Sequence, residues 1–281
     1  MQPFDYAAYT QALHTLPHPP RILRVGLSRF GRGLYLVRVG TDRPQGLIHG
    51  AIHAREHITA HVVYALMQEY AAQYRLGMPT VDFLPMVNPD GVGLALHGLS
   101  TVPPVHRAYL TAISRGSPFS LWKANGIGVD LNVNFDADWG SGKQNLRTAG
   151  AENYIGPHPH SEPESRALVR LTQTYRYRWS LSYHAKGSVV YYGYGEGAHA
   201  HQGQRLALLV ADYLGYTASQ SLGSAGGYKD WHTRLDSAVS ALTVEVGKDE
   251  YSHPYPMEDL PRILAENKGI VQLVANEWKE R

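Results

Sequence analysis

Two residue types that bind metals recur here at a spacing that lets them share one ion. His53-Ala54-Arg55-Glu56 places an imidazole and a carboxylate three residues apart. Farther along the chain stand a histidine at 184 and a glutamate at 245. A catalytic zinc takes two imidazole nitrogens and a carboxylate and leaves its fourth position to water. His53, Glu56 and His184 would make that set. The tetrapeptide alone carries little, because a chain with 15 histidines makes chance pairs. Its surroundings carry more.

Glu245 lies within Leu242-Thr243-Val244-Glu245-Val246, and an ionised carboxylate among β-branched residues is costly to bury without a partner. Two readings stand. Either the strand end has reached solvent, or Glu245 is a general base facing a metal-bound water. His184, at the end of another apolar run, is open in the same way between a structural role and a ligand. The remaining histidines, His49 and His253 among them, keep a structural reading. Asp130 is expected behind the metal, since a ligating imidazole usually donates its other N–H to a carboxylate or carbonyl.

The elements that must position these groups follow from pattern. Strand-like runs cover 22–25 and 34–39, split by Gly31-Arg32-Gly33 as a hairpin turn. A third strand over 45–52 delivers His53 at its C-terminal end. Residues 59–74 carry apolar side chains at helical spacing, so the motif falls on a strand-to-helix turn, where open α/β sheets place ligands. A strand over 81–87 is closed by Asn88-Pro89-Asp90-Gly91, read as a turn. Residues 92–129 and 136–163 read as loop-rich. Helices are expected over 162–175, 201–214 and 260–279, and strands over 179–184, 189–192 and 238–246. The lead through residue 20 contains Tyr6 and Tyr9, then Pro17, Pro19 and Pro20, and reads as a short polar lead segment. The alternation predicts one α/β domain over residues 1–281 around a largely parallel or mixed sheet.

Composition narrows the classes. The 281 residues suffice for a core without staples. A net charge of +2 offers no basic field for nucleic acid or an anionic membrane. The absence of cysteine excludes disulfides, thiolate ligands and a thiol nucleophile. No stretch approaches the ~20 apolar residues of a membrane span, and the N-terminus has no basic start or apolar run of a signal peptide. A cytoplasmic location is therefore expected.

From about Gly33 onward the chain resembles the zinc carboxypeptidase A-like metallopeptidases. The resemblance runs in order through Gly50-Ala51-Ile52-His53-Ala54-Arg55-Glu56, Asn88-Pro89-Asp90-Gly91, Trp122-Lys123 and Gly128-Val129-Asp130-Leu131-Asn132-Val133-Asn134-Phe135-Asp136. It continues through Ser182-Tyr183-His184, Gly226-Gly227-Tyr228-Lys229-Asp230-Trp231 and Leu242-Thr243-Val244-Glu245. It implies a mixed, twisted, roughly eight-stranded sheet between helices, with one Zn2+ per chain on His53, Glu56 and His184. Glu245 would then be the base that takes a proton from zinc-bound water and hands it to the leaving amine. Arg55 would position substrate, and Asn132 would bind its terminal carboxylate.

Three departures bear on the substrate. Val133 stands where carboxypeptidases of this family carry an arginine that clamps the C-terminal carboxylate, and valine cannot replace a bidentate pair. Lys123 stands where an arginine stabilises the oxyanion. Lys229 occupies the place that sets the pocket beyond the scissile bond, where a cation favours a negative group on the substrate. The family's mobile-loop tyrosine would fall to Tyr228 or Tyr216. The segment 130–136 and the run 156–164 resemble bacterial γ-D-glutamyl-diamino acid peptidases, which cut peptidoglycan stem peptides between D-glutamate and meso-diaminopimelate. A peptide substrate, a small muropeptide, is the expectation. The alternatives are a general bacterial metallocarboxypeptidase and a catalytically silent binding protein, with deacylation of N-acyl amino acids disfavoured.

Overall fold

A computed structural model describes residues 2–16 and 21–278. Pro17, Pro19 and Pro20 of the lead, and Lys279 of the last expected helix, lie outside the described residues. The eight strands are β1 (Arg21–Leu27), β2 (Gly33–Val39), β3 (Gly46–His49), β4 (Val81–Leu84), β5 (Trp179–Ala185), β6 (Val189–Tyr192), β7 (Thr217–Gln220) and β8 (Ser240–Val246). They form one mixed sheet in the order β1-β2-β4-β3-β5-β8-β6-β7. The central β4, β3, β5 and β8 run parallel. The hairpin β1–β2 and the pairings β2–β4 and β6–β8 are antiparallel.

The helices are α1 (Tyr6–His14), α2 (Ile58–Gln73), α3 (Pro89–His97), α4 (Pro104–Ser114), α5 (Pro163–Tyr175), α6 (Gln204–Leu214), α7 (Tyr228–Leu235), α8 (Leu260–Asn267) and α9 (Ile270–Asn276). The larger core, with Val63, Tyr183, Val210, Val244 and Val274, lies between one face of the sheet and α2, α6, α8 and α9. A second core, with Leu47, Phe135, Leu168 and Tyr228, lies on the other face under α5 and α7. Strand β5 divides the two. In Trp-Ser-Leu-Ser-Tyr-His-Ala, period-two alternation sends Leu181 and Tyr183 into the larger core. Ser180, Ser182 and His184 are left on the opposite face.

Several expected boundaries shift. Strand β3 ends at His49 rather than at 52. Ala51 adopts a positive φ of 47°, and its N–H donates to Thr59 Oγ1 at 2.7 Å, so the chain leaves the sheet there. The expected turn at 88–91 is a helix start: Asn88 Oδ1 accepts from the Gly91 N–H at 2.9 Å, and Pro89 sits in the first turn, where its missing donor costs nothing. The region 92–129, read as loop-rich, holds most of α3 and all of α4, which also opens on a proline, Pro104. The lead contains α1, capped by the Asp5 side chain accepting from the Ala8 N–H. The last helix is two, α8 and α9, broken where Gly269 takes a φ of 82°. No helix among the described residues is long and apolar enough to cross a membrane.

Candidate metal centre

The turn after β3 is built to present His53 and Glu56. Thr59 Oγ1 donates to the Glu56 carbonyl at 2.8 Å while accepting from Ala51, so one hydroxyl closes the loop from both sides. A Cβ on Gly50 would come within 2.7 Å of the Thr59 carbonyl, which is why the turn can fold this tightly only with glycine there. Asn88 Nδ2 donates to the carbonyls of Ile52 and Ala124, and the Ala54 N–H donates to the Lys123 carbonyl at 3.0 Å. The ligand turn and the segment carrying Lys123 are thereby one unit. His184 arrives on the next strand, in register with Glu245 of β8, so both side chains emerge on the same face.

His53 Nδ1 lies 2.9 Å from Glu56 Oε1, and His184 Nδ1 lies 3.0 Å from Glu56 Oε2 and 3.1 Å from His53 Nδ1. All three residues are buried. Behind them His53 Nε2 is 3.3 Å from Asp130 Oδ1, where its outer N–H belongs. With that proton on Nε2, His53 Nδ1 presents a lone pair to a carboxylate and to a second imidazole nitrogen. Three lone-pair donors converging in a buried site are what a divalent cation reconciles, so the donor set fits zinc. Asp130 takes the expected place. It also accepts the Asn132 N–H on Oδ1 and the Asn153 N–H on Oδ2, and pairs with Lys123 Nζ at 3.0 Å.

Electrostatics separate the carboxylates. Burial pushes Glu56 up, but His53 and His184 outweigh it and hold the group well below the usual range. Burial likewise opposes ionisation of Asp130, and Lys123 and His53 overcome it. Glu245 goes the other way: burial and then the negative charge of Glu56 raise it well above the usual range, with only Lys123 opposing. Asp130 and Glu56 outweigh the burial of Lys123 and keep its ammonium charged.

A cleft of about 750 Å³ opens beside these groups, and its walls include His53, His184, Glu245, Lys123, Asn132 and Val133. Lys229 lines it too, but its ammonium is buried and pairs with Asp230 Oδ1 at 2.5 Å while donating to the Gly193 carbonyl. It is therefore not the lone cation expected from the sequence. The Asn132 Oδ1 is occupied by the Tyr228 N–H at 3.1 Å, and its Nδ2 has no protein partner among the described residues. Two expected substrate-binding side chains already have protein partners. The Tyr228 ring is fully buried in the second core with its hydroxyl 2.8 Å from Thr172 Oγ1. Arg55 pairs with Glu152 Oε2 at 3.0 Å and stands near enough to Lys123 to oppose its charge. Tyr216 also points away, its hydroxyl donating to Glu266 Oε2 at 2.8 Å.

Three groups near the site add to the sequence reading, one of them, His49, in the structural role expected of it. His49 bonds Ser182 Oγ at 2.8 Å and His232 bonds Ser180 Oγ at 2.8 Å, so the polar face of β5 is continuous from His232 to His184. Burial, followed by the nearby His184 and His232, lowers His49 to about 3, so it is a neutral prop. The serine alternation in β5 was the available signal. The third group is the turn over 142–145, which lay in a stretch read only as loop.

The chain matches the zinc carboxypeptidase family over residues 6–268. It is 30% identical over 290 residues to the gamma-D-glutamyl-L-diamino acid endopeptidase 1 of Lysinibacillus sphaericus, covering 96% of this chain and 71% of that protein. Among solved structures it is similar to bovine thrombin-activatable fibrinolysis inhibitor, with a TM-score of 0.80 at 20% identity over 98% of this chain and 97% of that one. It is also similar to the murein-tripeptide amidase MpaA of Escherichia coli O157, with a TM-score of 0.60 at 22% identity over 94% and 95% of the two chains. A converging His53–Glu56–His184 donor set and a family match over nearly the whole chain lead to one conclusion: the protein belongs to the zinc carboxypeptidase family and is a zinc metallopeptidase.

Proposed function

We propose that this protein hydrolyses the bond between D-glutamate and a diamino acid in soluble peptidoglycan stem peptides, with one zinc per chain. Held by His53, Glu56 and His184, zinc would polarise the scissile carbonyl and make a bound water acidic near neutrality. Glu245 takes the proton of the attacking water and returns it to the departing amine; its raised pKa suits the second role. Lys123, fixed by Asp130, supplies positive charge beside the carbonyl oxygen as that oxygen becomes negative. Asn132 Nδ2 is available to a substrate oxygen.

The observation that carries the substrate assignment is the Lys229–Asp230 pair on the cleft wall. A lone cation would select a carboxylate. A buried plus–minus pair instead matches the ammonium and carboxylate that end the diaminopimelate side chain, and the 30% identity to an endopeptidase named for that linkage supports it. Replacing diaminopimelate by lysine in L-Ala-γ-D-Glu-X is expected to cost ~1.5–3 kcal/mol in kcat/KM, the scale of a charged hydrogen bond. The paired variant Lys229→Met/Asp230→Asn, which buries no unmatched charge, is expected to lose that discrimination and keep its zinc. Equal cleavage of both tripeptides by the unaltered protein would favour a general metallocarboxypeptidase. Elemental analysis is expected to find about one zinc per chain. His184→Ala is expected to lose metal and activity together; metal retained in that variant would remove His184 from the site.

A further inference from the structure

The two imidazoles of the donor set differ behind the metal position. His53 turns its outer nitrogen, Nε2, to Asp130 Oδ1 at 3.3 Å. His184 turns Nδ1 to Glu56 and His53, and its outer Nε2 is shielded from solvent with no protein hydrogen-bond partner among the described residues. A neutral imidazole that gives one lone pair to a metal carries its proton on the other nitrogen. His184 would then hold a buried N–H with no protein acceptor, which is costly.

A second unmatched atom stands nearby. His49 is fully buried on β3, in register with Ser182 of β5, and its Nε2 lies 2.8 Å from Ser182 Oγ. Its Nδ1 is also shielded and also has no protein partner among the described residues. Ser182 and His184 lie two residues apart on one face of β5, so His49 flanks the ligand on the same face of the sheet. The Tyr228 ring meets His49 edge-on at 4.8 Å between centroids and fixes its plane. Burial, then the nearby His184, keeps His49 neutral, so one ring nitrogen offers a lone pair. With its proton on Nε2 toward Ser182 Oγ, that nitrogen is Nδ1. One buried donor and one buried acceptor beside each other are the partners an internal water needs.

We infer that His49 is a positioning residue for His184: its Nδ1 takes the outer N–H of His184 through one buried water, the place that Asp130 fills directly for His53. The inference rests on the zinc site of His53, Glu56 and His184. It gives the two imidazole ligands unlike supports, a carboxylate for one and a neutral histidine for the other.

The first measurement is zinc affinity by chelator competition on folded protein. His49→Phe keeps a ring and removes the acceptor, and zinc is expected to bind about 10- to 100-fold more weakly, the scale of a lost partner behind a ligand. His49→Gln restores an acceptor oxygen and is expected to recover most of that loss. Packing alone would not rank the two this way. Affinity unchanged in His49→Phe overturns the inference, as does a His49→Gln protein no better than His49→Phe. The second measurement needs no variant. Imidazole 15N spectra of the unaltered zinc-loaded protein are expected to show His184 and His49 both protonated on Nε2, with the His184 proton slow to exchange. A proton on His49 Nδ1 overturns the inference. Zinc retained in His184→Ala would instead overturn the site itself, so the two failures are distinct.

Discussion

Glu56 and Glu245 show how position alone sorts identical side chains into different work. Glu56 has two imidazoles against its oxygens and takes the Ala185 N–H at 3.2 Å, so it is held ionised, the state its proposed ligand role requires. Glu245 has burial and the charge of Glu56 against it, so it holds a proton far more readily. Divergent pKa values in one site mark separate acid–base roles. Glu245→Gln preserves the shape and removes the proton carrier. Turnover is expected to fall by ~10²-fold or more, with zinc content and substrate affinity retained. Near-normal turnover in that variant would take Glu245 out of the chemistry. This part of the site was legible because ligand chemistry is local: His53 and Glu56 are three residues apart, and His184 and Glu245 each interrupt an apolar strand. The partners of Lys229 and Arg55 were not legible. Glu152 is 97 residues from Arg55, and no pattern in a single chain announces such a pairing. Asp230 is adjacent to Lys229, but whether neighbouring charges pair or diverge depends on the helix that carries them.

At the scale of elements, the cleft wall depends on the chain segments 132–137 and 226–228 lying against each other. The Phe135 N–H donates to the Gly226 carbonyl at 2.9 Å, and the Gly226 N–H to the Ala137 carbonyl at 2.7 Å. Gly226 has a φ of 80°, and a Cβ there would sit 2.6 Å from the Val133 carbonyl. Gly226→Ala is therefore expected to destabilise by about 1–3 kcal/mol, the cost of a strained backbone position. KM should rise more than kcat falls, because Asn132 and α7 move while the metal ligands do not. Thermal melts and steady-state kinetics check both. The central strands were legible from their apolar runs, and α2, α5 and α6 from helical spacing. The elements that escaped had weak local signals. Thr217-Ala218-Ser219-Gln220 in β7 carries no apolar alternation because it is an edge strand. Helix α3 has two glycines within nine residues, and α7 follows a glycine pair and carries Lys229, Asp230 and Arg234. Their helicity comes from caps and tertiary packing rather than from propensity.

For the whole molecule, a second set of buried acids governs stability against pH. Asp90, Glu162 and Glu164 are all buried where the β1–β2 turn meets the N-terminus of α5. Glu162 is matched by Arg29 at 2.8 Å and Asp90 by Arg32 at 3.1 Å. Among the described residues Glu164 takes only the Arg29 N–H, and its Oε2 has no hydrogen-bond partner. Burial, then the Asp90 charge, raises it to about 8. The folded-state value stands above the unfolded one, so the native state holds the proton longer. The contribution is full below the unfolded value and is lost as pH rises toward about 8, after which it levels. The loss is bounded by on the order of 3–5 kcal/mol. Glu164→Gln keeps the acceptor for Arg29 and cannot ionise. Its stability relative to the unaltered protein is expected to grow between pH 5 and about 8, measured by denaturant titration at each pH. A constant difference across that range would show that Glu164 titrates normally.

The candidate ligands His53, Glu56 and His184 and the proposed base Glu245 come from strand ends and one hydrogen-bonded turn, whereas the cleft wall over residues 142–145 is a connecting segment and the Lys229–Asp230 pair belongs to the first turn of α7. Reactivity and selectivity are thus inherited on separate stretches of polypeptide. An engineer could exchange the loop between Asp138 and Asn153 as a cassette, reshaping the cleft wall while keeping the strands that carry His184 and Glu245. Lineages diverging from a common ancestor have the same freedom. They can drift in diet without losing the reaction.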